Sequence, residues 1–293
     1  MSNQFLREFE LIIGNDESIN VPNALKITNL RVKFNIQKDN IGTPNIAKIS
    51  VYNLSENSRS KIEKEFTKLV LNVGYKNNIK LIFTGDILYV FHRKEGTNII
   101  SDIYTGDAQK SYLNSYFCKS YTPNVTYKEI LEDVAESFNG VSLGGILNVP
   151  DDKNSLYGTS FCDQSKIVLN SLTSNLGLEW FIDNNNIYIY SPSGVINNDE
   201  KVFNATNGMI GSPVVTEIGI NVKVLLRPDL ICGTNFRVES LFPDLEIGSY
   251  FFKGLKPTKG EGIYRITKLL HIGDTHSEEW FTNIEGGFIE VVG

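Results

Sequence analysis

Strict alternation of apolar and polar or small residues constrains this chain more than any other feature. Between residues 218 and 224, isoleucine or valine at every even position alternates with Gly219, Asn221 and Lys223. A period of two places successive side chains on opposite faces of a pleated strand, so a half-buried β-strand is predicted here. Pro228 is expected to end it, because proline cannot donate a hydrogen bond to a sheet.

The same alternation recurs through most of the chain and is cleanest over residues 30–38. Further strands are predicted at 5–13, 47–52, 68–75, 79–85, 87–92, 98–105, 235–240, 250–253, 263–272 and 279–284. Ser55 is a suitable N-cap for one short helix between them. Short strands separated by turns rich in glycine, proline and aspartate are typical of antiparallel barrels or sandwiches.

Residues 111–200 follow a different pattern. Thr126 and Glu129 have the spacing of a capping box, and a one-sided apolar stripe follows them, so a helix is predicted there. A second helix is predicted over 165–177. A hairpin with the turn 183–186 follows, since asparagine tolerates the positive φ of a tight turn.

These patterns predict three domains in the 293 residues. Residues 1–110 are predicted to form an N-terminal tube-like β-barrel, 111–200 one or two small α/β insertion modules, and 201–293 a C-terminal tube-like β-barrel. The fold class is therefore mainly β, with α+β insertions between two antiparallel β-barrel domains.

Two hairpins of the chain resemble each other. Residues 87–92 and 99–103 align with 266–271 and 280–284, with five strand residues before a histidine in each copy. The second turn is two residues longer. Self-similarity of this kind suggests one supersecondary unit used twice, and chance alignment of two amphipathic hairpins is the alternative.

Composition restricts the classes of partner. The chain is 41% hydrophobic and 21% charged, as in ordinary soluble globular proteins. Its net charge of −6 argues against a protein that binds duplex DNA, which needs a basic surface. A weakly acidic surface is compatible with nucleic acid that passes by without binding.

The three cysteines, Cys118, Cys162 and Cys232, are odd in number and lack a CxxC spacing, so neither a zinc site nor a disulfide is expected. Cys162 is interpreted as a small buried hydrophobic residue. No apolar run approaches the ~20 residues of a membrane span, and no secretory signal is evident. We therefore expect a protein without stable membrane insertion that is kept in a reducing cytoplasm until assembly.

Only one constellation suggests a metal. His271, Asp274 and His276 lie close in sequence, with Glu278 and Glu279 as further candidate ligands. A hairpin turn, in which aspartate bonds to the local backbone, is the favoured interpretation. His92, beside Arg93 and Lys94, is interpreted as part of a solvated strand end.

No catalytic or cofactor-binding motif is present, so no catalytic, cofactor or metal residue is predicted. The adjacent acids at 151–152 and 278–279 do not face each other as glycosidase carboxyls must. Trp180, with Tyr188 and Tyr190, has the residue types of a stacking platform. The favoured interpretation is that Trp180 covers the two predicted helices.

Motifs at both ends of the chain carry a family resemblance. The C-terminal motifs are Gly-x-x-Gly-Ser-Pro at 208–213, Leu-Leu-Arg-Pro at 225–228 and His-x-Gly-Asp…Trp-x-Thr at 271–282. The N-terminal motifs are Ile-x-Val-Tyr-Asn-Leu-Ser at 49–55 and Phe-Thr-Gly-Asp-Ile at 83–87. The motif positions singled out are Tyr52, Asn53, Leu54, Ser55, Gly85, Asp86, Gly211, Pro213, Pro228, Gly273, Asp274 and Trp280.

In these motifs and their order the chain resembles the baseplate hub proteins of phage tails, the late-control-protein-D-like group of contractile-tail hubs. The resemblance implies a homotrimer that forms a pseudo-sixfold ring, with the tail tube protein on one side and the central spike protein on the other. Baseplate wedge and tape measure proteins are further candidate partners. It also implies DNA only in transit, no catalysis, and a place in the virion tail baseplate after assembly in the host bacterial cytoplasm.

Two other functions remain open at this point. A carbohydrate- or receptor-binding tail protein would expose the surface around Trp180 or Trp280. A tail-associated cell-wall hydrolase would bring acidic residues together in one cleft.

Overall fold

The alternating stretches form strands in the computed structural model of the protein. The structure describes residues 6–15, 24–147, 154–192, 200–240, 244–245 and 261–289. The strand predicted at 250–253 lies outside the described residues, as do the acids at 151–152.

The first β region contains seven strands and one helix among its described residues. These are β1 (Arg7–Gly14), β2 (Leu25–Ile27), β3 (Val32–Asp39), β4 (Ile46–Tyr52), α1 (Glu56–Lys64), β5 (Lys68–Tyr75), β6 (Asn78–Glu95) and β7 (Asn98–Gly106). The predicted cap of α1 is confirmed, because the Ser55 side chain accepts the N–H of Ser58. In the sheet the strands follow the order β3-β4-β7-β6-β5-β1-β2.

Strand β6 makes this sheet fold over its own core. Residues 78–86 of β6 pair with β5, and residues 86–95 pair with β7, so the strand changes partner at Asp86. The buried side chains of β1, β5 and early β6 consequently share one core with those of β3, β4 and β7. The sequence predicted two strands here, whereas the structure has one long strand.

Among its described residues, the middle region contains short helices and two small sheets. Its elements are α2 (Gln109–Asn114), β8 (Tyr116–Tyr121), α3 (Tyr127–Glu136), β9 (Ser142–Leu147), β10 (Thr159–Gln164), α4 (Ser165–Leu176), β11 (Glu179–Asp183) and β12 (Asn186–Tyr190). The helix start predicted at Thr126 is confirmed, because the Thr126 hydroxyl accepts the N–H of Glu129 at 3.2 Å. Asn184 and Asn185 have positive φ in the predicted tight turn.

The expectation for the cysteines was wrong. Cys118 and Cys162 form a disulfide, and both residues are exposed, whereas Cys232 is buried with a free thiol. The cause is the pairing of β8 with β10, which sets the two cysteines directly opposite each other although 44 positions separate them in sequence.

The second β region contains seven further strands among its described residues. They are β13 (Lys201–Phe203), β14 (Val214–Val215), β15 (Gly219–Leu225), β16 (Asn235–Glu239), β17 (Asp244–Leu245), β18 (Glu261–Asp274) and β19 (Trp280–Phe288). Strand β18 pairs with β3 over residues 268–274, so the two β regions share one large, mostly antiparallel sheet. The mainly β fold class with α/β insertions is thereby confirmed.

The two β regions repeat one strand order. The order β3-β4-β7-β6-β5-β1 in the first corresponds to β14-β15-β19-β18-β16-β13 in the second. A bulge lies between Ile87 and Tyr89 of β6, and another lies at the aligned position between Ile266 and Lys268 of β18. One difference is that β13 pairs with β16 in parallel, whereas β1 pairs with β5 antiparallel. The hairpin repeat in the sequence therefore corresponds to a structural repeat.

Candidate assembly surface

A buried carboxylate lies where the two β regions join. Asp274, at the end of β18, accepts hydrogen bonds from Arg31 Nε at 3.1 Å and Arg31 Nη2 at 2.6 Å. Lys33 Nζ lies 3.2 Å from the same carboxylate, and the N–H of His276 donates to it at 2.9 Å. Burial alone would raise the pKa of Asp274, but these donors outweigh it and hold the pKa well below its usual range. The cluster ties the C-terminal hairpin to β3.

Aromatic rings extend this junction. The guanidinium of Arg31 lies 4.7 Å from the ring centroid of Tyr52, so the N-terminal motif and the C-terminal motif meet through one arginine. Phe34 packs edge-on against Trp280 at 5.4 Å between centroids. Gly273 leaves the room for this ring, because a Cβ at that position would lie 2.2 Å from Phe34.

A second buried charge cluster fixes the insertion to the sheet. Lys38 of β3 lies 2.5 Å from Asp183 at the end of β11, and both side chains are almost fully buried. Asp107 accepts the backbone N–H of Asn184 at 2.5 Å and that of Asn185 at 2.9 Å. Burial, together with the neighbouring Asp183 carboxylate, raises the pKa of Asp107 to about 7.

The shared sheet presents a continuous face on the side opposite its cores. It runs across β15, β19, β18, β3, β4, β7 and the second half of β6. Its cationic side chains lie beside acids or a ring: Lys33 with Asp274, Lys48 with Asp102 at 3.3 Å, Arg93 with Asp102 at 3.1 Å, Lys268 with Glu285 at 3.5 Å, and Lys223 3.7 Å from the Phe281 centroid. Positive charge on this face is therefore largely compensated.

The remaining N-terminal motif positions shape the turn into α1 and the change of partner in β6. Asn53 has a φ of 58°, and its side chain bonds to Asn98 and to the N–H of Ile99. Leu54 is buried in the first core, and Ser55 is the helix cap described above. At the partner change, the Asp86 carboxylate accepts the N–H of Lys110 at 2.8 Å. A Cβ on Gly85 would lie 2.8 Å from the carbonyl oxygen of Gly106.

The other C-terminal motif positions are turn residues. Gly211 has a φ of 73°, which favours glycine, and Pro213 is buried beside it. Pro228 lines a cavity of about 280 Å³ together with Tyr75 and Arg227. The structure thus places Tyr52, Gly273, Asp274 and Trp280 around one junction. It leaves Gly85 and Asp86 within β6 and the remaining motif positions in separate turns.

The candidate metal ligands are engaged in other contacts. His271 is buried, with Nδ1 2.8 Å from the Thr282 hydroxyl, and burial holds its pKa well below the usual value. His276 Nδ1 lies 2.9 Å from the Thr275 hydroxyl. Within the described ranges, no three His, Cys, Asp or Glu side chains are grouped closely enough to hold a metal ion.

The solvated environment expected for His92 was wrong. Its ring is half-buried, and Nδ1 lies 2.9 Å from the Ser101 hydroxyl on β7.

The two tryptophans are buried. Trp180 donates to Asn170 at 2.7 Å and packs in the core of α3 and α4, which confirms that it covers the helices. Neither Trp180 nor Trp280 presents an exposed stacking surface, at 3% and 2% exposure.

Comparison with protein families decides the affiliation of this chain. A family model described as baseplate hub gp41 matches residues 17–256. The chain belongs to the baseplate hub gp41 family. It is thus related to phage tail structural proteins, as the sequence resemblance suggested. No curated protein sequence matches it.

Solved structures share the fold of this hub family member across nearly its whole length. The 43 kDa tail protein of prophage MuSo2 from Shewanella oneidensis has a TM-score of 0.60 and 11% identity, covering 96% of each chain. A tail protein of Neisseria meningitidis MC58 has a TM-score of 0.58 and 8% identity, covering 97% of each. The Escherichia coli c3393 protein, a type VI secretion component, has a TM-score of 0.58 and 11% identity, covering 89% of this chain and 74% of its own.

Across the described parts of the hub chain, no helix combines the length and apolar character needed to cross a bilayer.

Proposed function

We propose that this chain is the baseplate hub of a phage tail or a related contractile machine and acts as a trimeric ring. The observation that carries the proposal is the structural repeat, in which two β regions have the same strand order and the same bulge position. Three such chains supply six similar units, which is the number needed for a pseudo-sixfold ring. The divisions 1–110, 111–200 and 201–293 are kept as the domains of this proposal.

In this ring the tail tube protein lies on one side and the central spike protein on the other. Baseplate wedge and tape measure proteins are further candidate contacts. The E. coli c3393 protein is described as similar in structure to the T4 tail proteins gp27 and gp5, and its likeness in fold to this chain supports partners of the same kind. The protein would be located in the virion tail baseplate after assembly in the host bacterial cytoplasm.

The continuous sheet face is the proposed wall of the bore. Four of its cations, Lys33, Lys48, Arg93 and Lys268, lie beside Asp102, Asp274 or Glu285, and Lys223 lies over the ring of Phe281. A wall whose cations are mostly paired with carboxylates would bind few DNA phosphates, so DNA could move through without being held. The role is therefore structural, and the carboxylates at Asp107 and Asp274 serve buried hydrogen bonds rather than catalysis.

Size-exclusion chromatography with light scattering tests the assembly. We expect a species of about three times 32.9 kDa at high concentration. Electron micrographs of that species should give rings with six similar lobes around a central hole. A monomer at every concentration, or a closed dimer, would contradict the proposal.

A binding assay with duplex DNA at low salt tests the bore. The wild-type protein should bind only weakly, because most cations of the sheet face lie beside carboxylates. Combining Glu285→Gln with Glu95→Gln removes the carboxylate beside Lys268 and leaves Arg93 only Asp102, which it shares with Lys48, so salt-sensitive binding should appear. Glu63→Gln, an exposed change on α1, is the control with the same kind of charge loss. Tight binding by the wild-type protein would contradict a bore that lets DNA pass.

A further inference from the structure

The second half of β6 has an open edge. Residues 86–95 pair with β7 on one side, and no described strand pairs with residues 89–95 on the other side. Leu88, Tyr89 and Phe91 are 48%, 56% and 56% exposed along this stretch. A long edge of unpaired N–H and C=O groups with apolar side chains is a template for pairing with another chain.

The internal repeat indicates which strand belongs at this edge. In the first β region, one row of residues paired across four neighbouring strands is Ile87, Thr105, Ala47 and Ile36. The equivalent row in the second β region is Ile266, Gly286, Ile220 and Val215. Residues 89–95 of β6 therefore correspond to 268–274 of β18. In the same way, residues 33–39 correspond to 212–218, the stretch that contains β14.

Within one chain, the second β region already pairs with the first through the equivalents of these two segments. Residues 268–274 of β18 pair antiparallel with residues 33–39 in seven successive pairs. The corresponding segments 89–95 and 212–218 lie at opposite ends of the shared sheet, with six strands between β6 and β14. They do not pair with each other in the single chain.

We propose that residues 89–95 of one copy pair antiparallel with residues 212–218 of a second copy, in the register that β18 and β3 use within the chain. This inference rests on the trimeric ring proposed above and specifies its subunit contact. The contact is head-to-tail, and repeating it three times closes a ring in which every junction between units is of one kind.

The side chains on the two edges fit this register. Tyr89 would lie opposite Ile218, which is 82% exposed in the single chain, and Phe91 would lie opposite Thr216. Exposed apolar surface on both edges would thus be buried together, which favours association. In the single chain, β17 forms two pairs with Val214 and Val215 on this edge. The seven pairs of the subunit contact would replace those two.

Cysteine cross-linking tests the register. We would join Tyr89→Cys with Ile218→Cys, and Phe91→Cys with Thr216→Cys, using a short bis-maleimide reagent. Each single variant is a control, and so is Tyr89→Cys with Leu156→Cys, because Leu156 is exposed outside both edges. The matched pairs should give covalent dimers and trimers in a yield well above that of the controls, because only a specific contact holds the two cysteines within reach of the reagent.

A second variant tests the strength of the contact. Phe91→Lys places a charge on the open edge, as natural edge strands do to prevent pairing. In sedimentation experiments, this variant should lower the association constant of the trimer about tenfold or more. The unfolding temperature of the monomer should not change. Leu113→Lys, an exposed change on α2, should leave the trimer intact.

The outcomes separate the two proposals. A trimer that resists Phe91→Lys and gives no cross-link above the controls would overturn this contact and leave the trimeric hub standing. A protein that stays monomeric at every concentration, without cross-links, would overturn both. Cross-links at the matched positions together with a trimer mass would support both.

Discussion

His92 and His271 occupy the same position in the two β regions. His92 Nδ1 lies 2.9 Å from the hydroxyl of Ser101, and His271 Nδ1 lies 2.8 Å from the hydroxyl of Thr282. In each case the partner is the residue directly opposite on the next strand. The environments differ, because β3 pairs with the second edge of β18 at His271, whereas no described strand pairs with the second edge of β6 at His92.

This difference predicts unequal effects when each hydroxyl is removed. Thr282→Val leaves the fully buried His271 without a partner and also removes an acceptor for the N–H of Arg227. We expect a loss of about 2 kcal/mol or more in the free energy of unfolding. Ser101→Ala is the matched control and should cost about 1 kcal/mol less, because His92 is only half-buried, whereas Thr282 also accepts the N–H of Arg227. Urea unfolding measures both, and equal losses would contradict the argument.

The junction carboxylate predicts a second stability effect. Asp274→Asn leaves Arg31 and Lys33 beside a neutral group, so we expect a loss of about 2 kcal/mol at pH 7, because the carboxylate is buried while both cations stay partly exposed to water. The control is Glu285→Gln, which breaks the exposed pair with Lys268 and should cost less than about 1 kcal/mol.

The effect of Asp274 has a defined pH dependence. Its pKa is lowered in the folded protein, so its stabilising contribution is present above the unfolded pKa of about 4 and is lost as the pH falls below that value. Guanidinium unfolding of the wild type and the Asp274→Asn variant at a series of pH values measures the difference. A difference that grows as the pH is lowered would contradict this assignment.

Much of the fold could be predicted because its signals are local. The helix caps at Ser55 and Thr126 and each of the two similar hairpins depend on residues close in sequence, and all of them are present. The disulfide between Cys118 and Cys162 depends on the register of two strands 44 positions apart, which no local pattern specifies.

The buried charges were missed for two different reasons. Lys38 carried a signal, because it continues the series of inward-facing even positions set by Val32, Phe34 and Ile36. A lysine in the buried phase of a strand indicates a buried acidic partner. Asp107 carried no such signal, since it follows β7 in a turn and bonds to backbone N–H groups 77 and 78 positions away.

Asp107 predicts a stability change on the acid side of neutrality. The pKa of Asp107 is about 7 in the folded protein and lies above the unfolded value of about 4. Between these two pH values the folded state therefore binds more protons than the unfolded state. The contribution of Asp107 to the free energy of unfolding falls as the pH rises through that window. Relative to Asp107→Asn, the free energy of unfolding of the wild type should fall by up to about 4 kcal/mol from pH 4 to 7 and change little above pH 7. Urea unfolding from pH 4.5 to 8 measures this. Glu63→Gln should show no such trend, and a wild type that gains stability over the window would contradict the assignment.

Gly273 predicts a steric effect at the junction of the two β regions. A Cβ there would lie 2.2 Å from the Phe34 ring, so Gly273→Ala should lower the free energy of unfolding by about 2 kcal/mol. Gly145→Ala is the control, because the Cβ at that position would make an ordinary contact of 3.6 Å. Adding Phe34→Leu should recover part of the loss, since the substitutions share one space and are not additive. Thermal unfolding of the wild type, Gly273→Ala, Phe34→Leu and the double variant measures the coupling, and strictly additive losses would show that the ring does not fill this space.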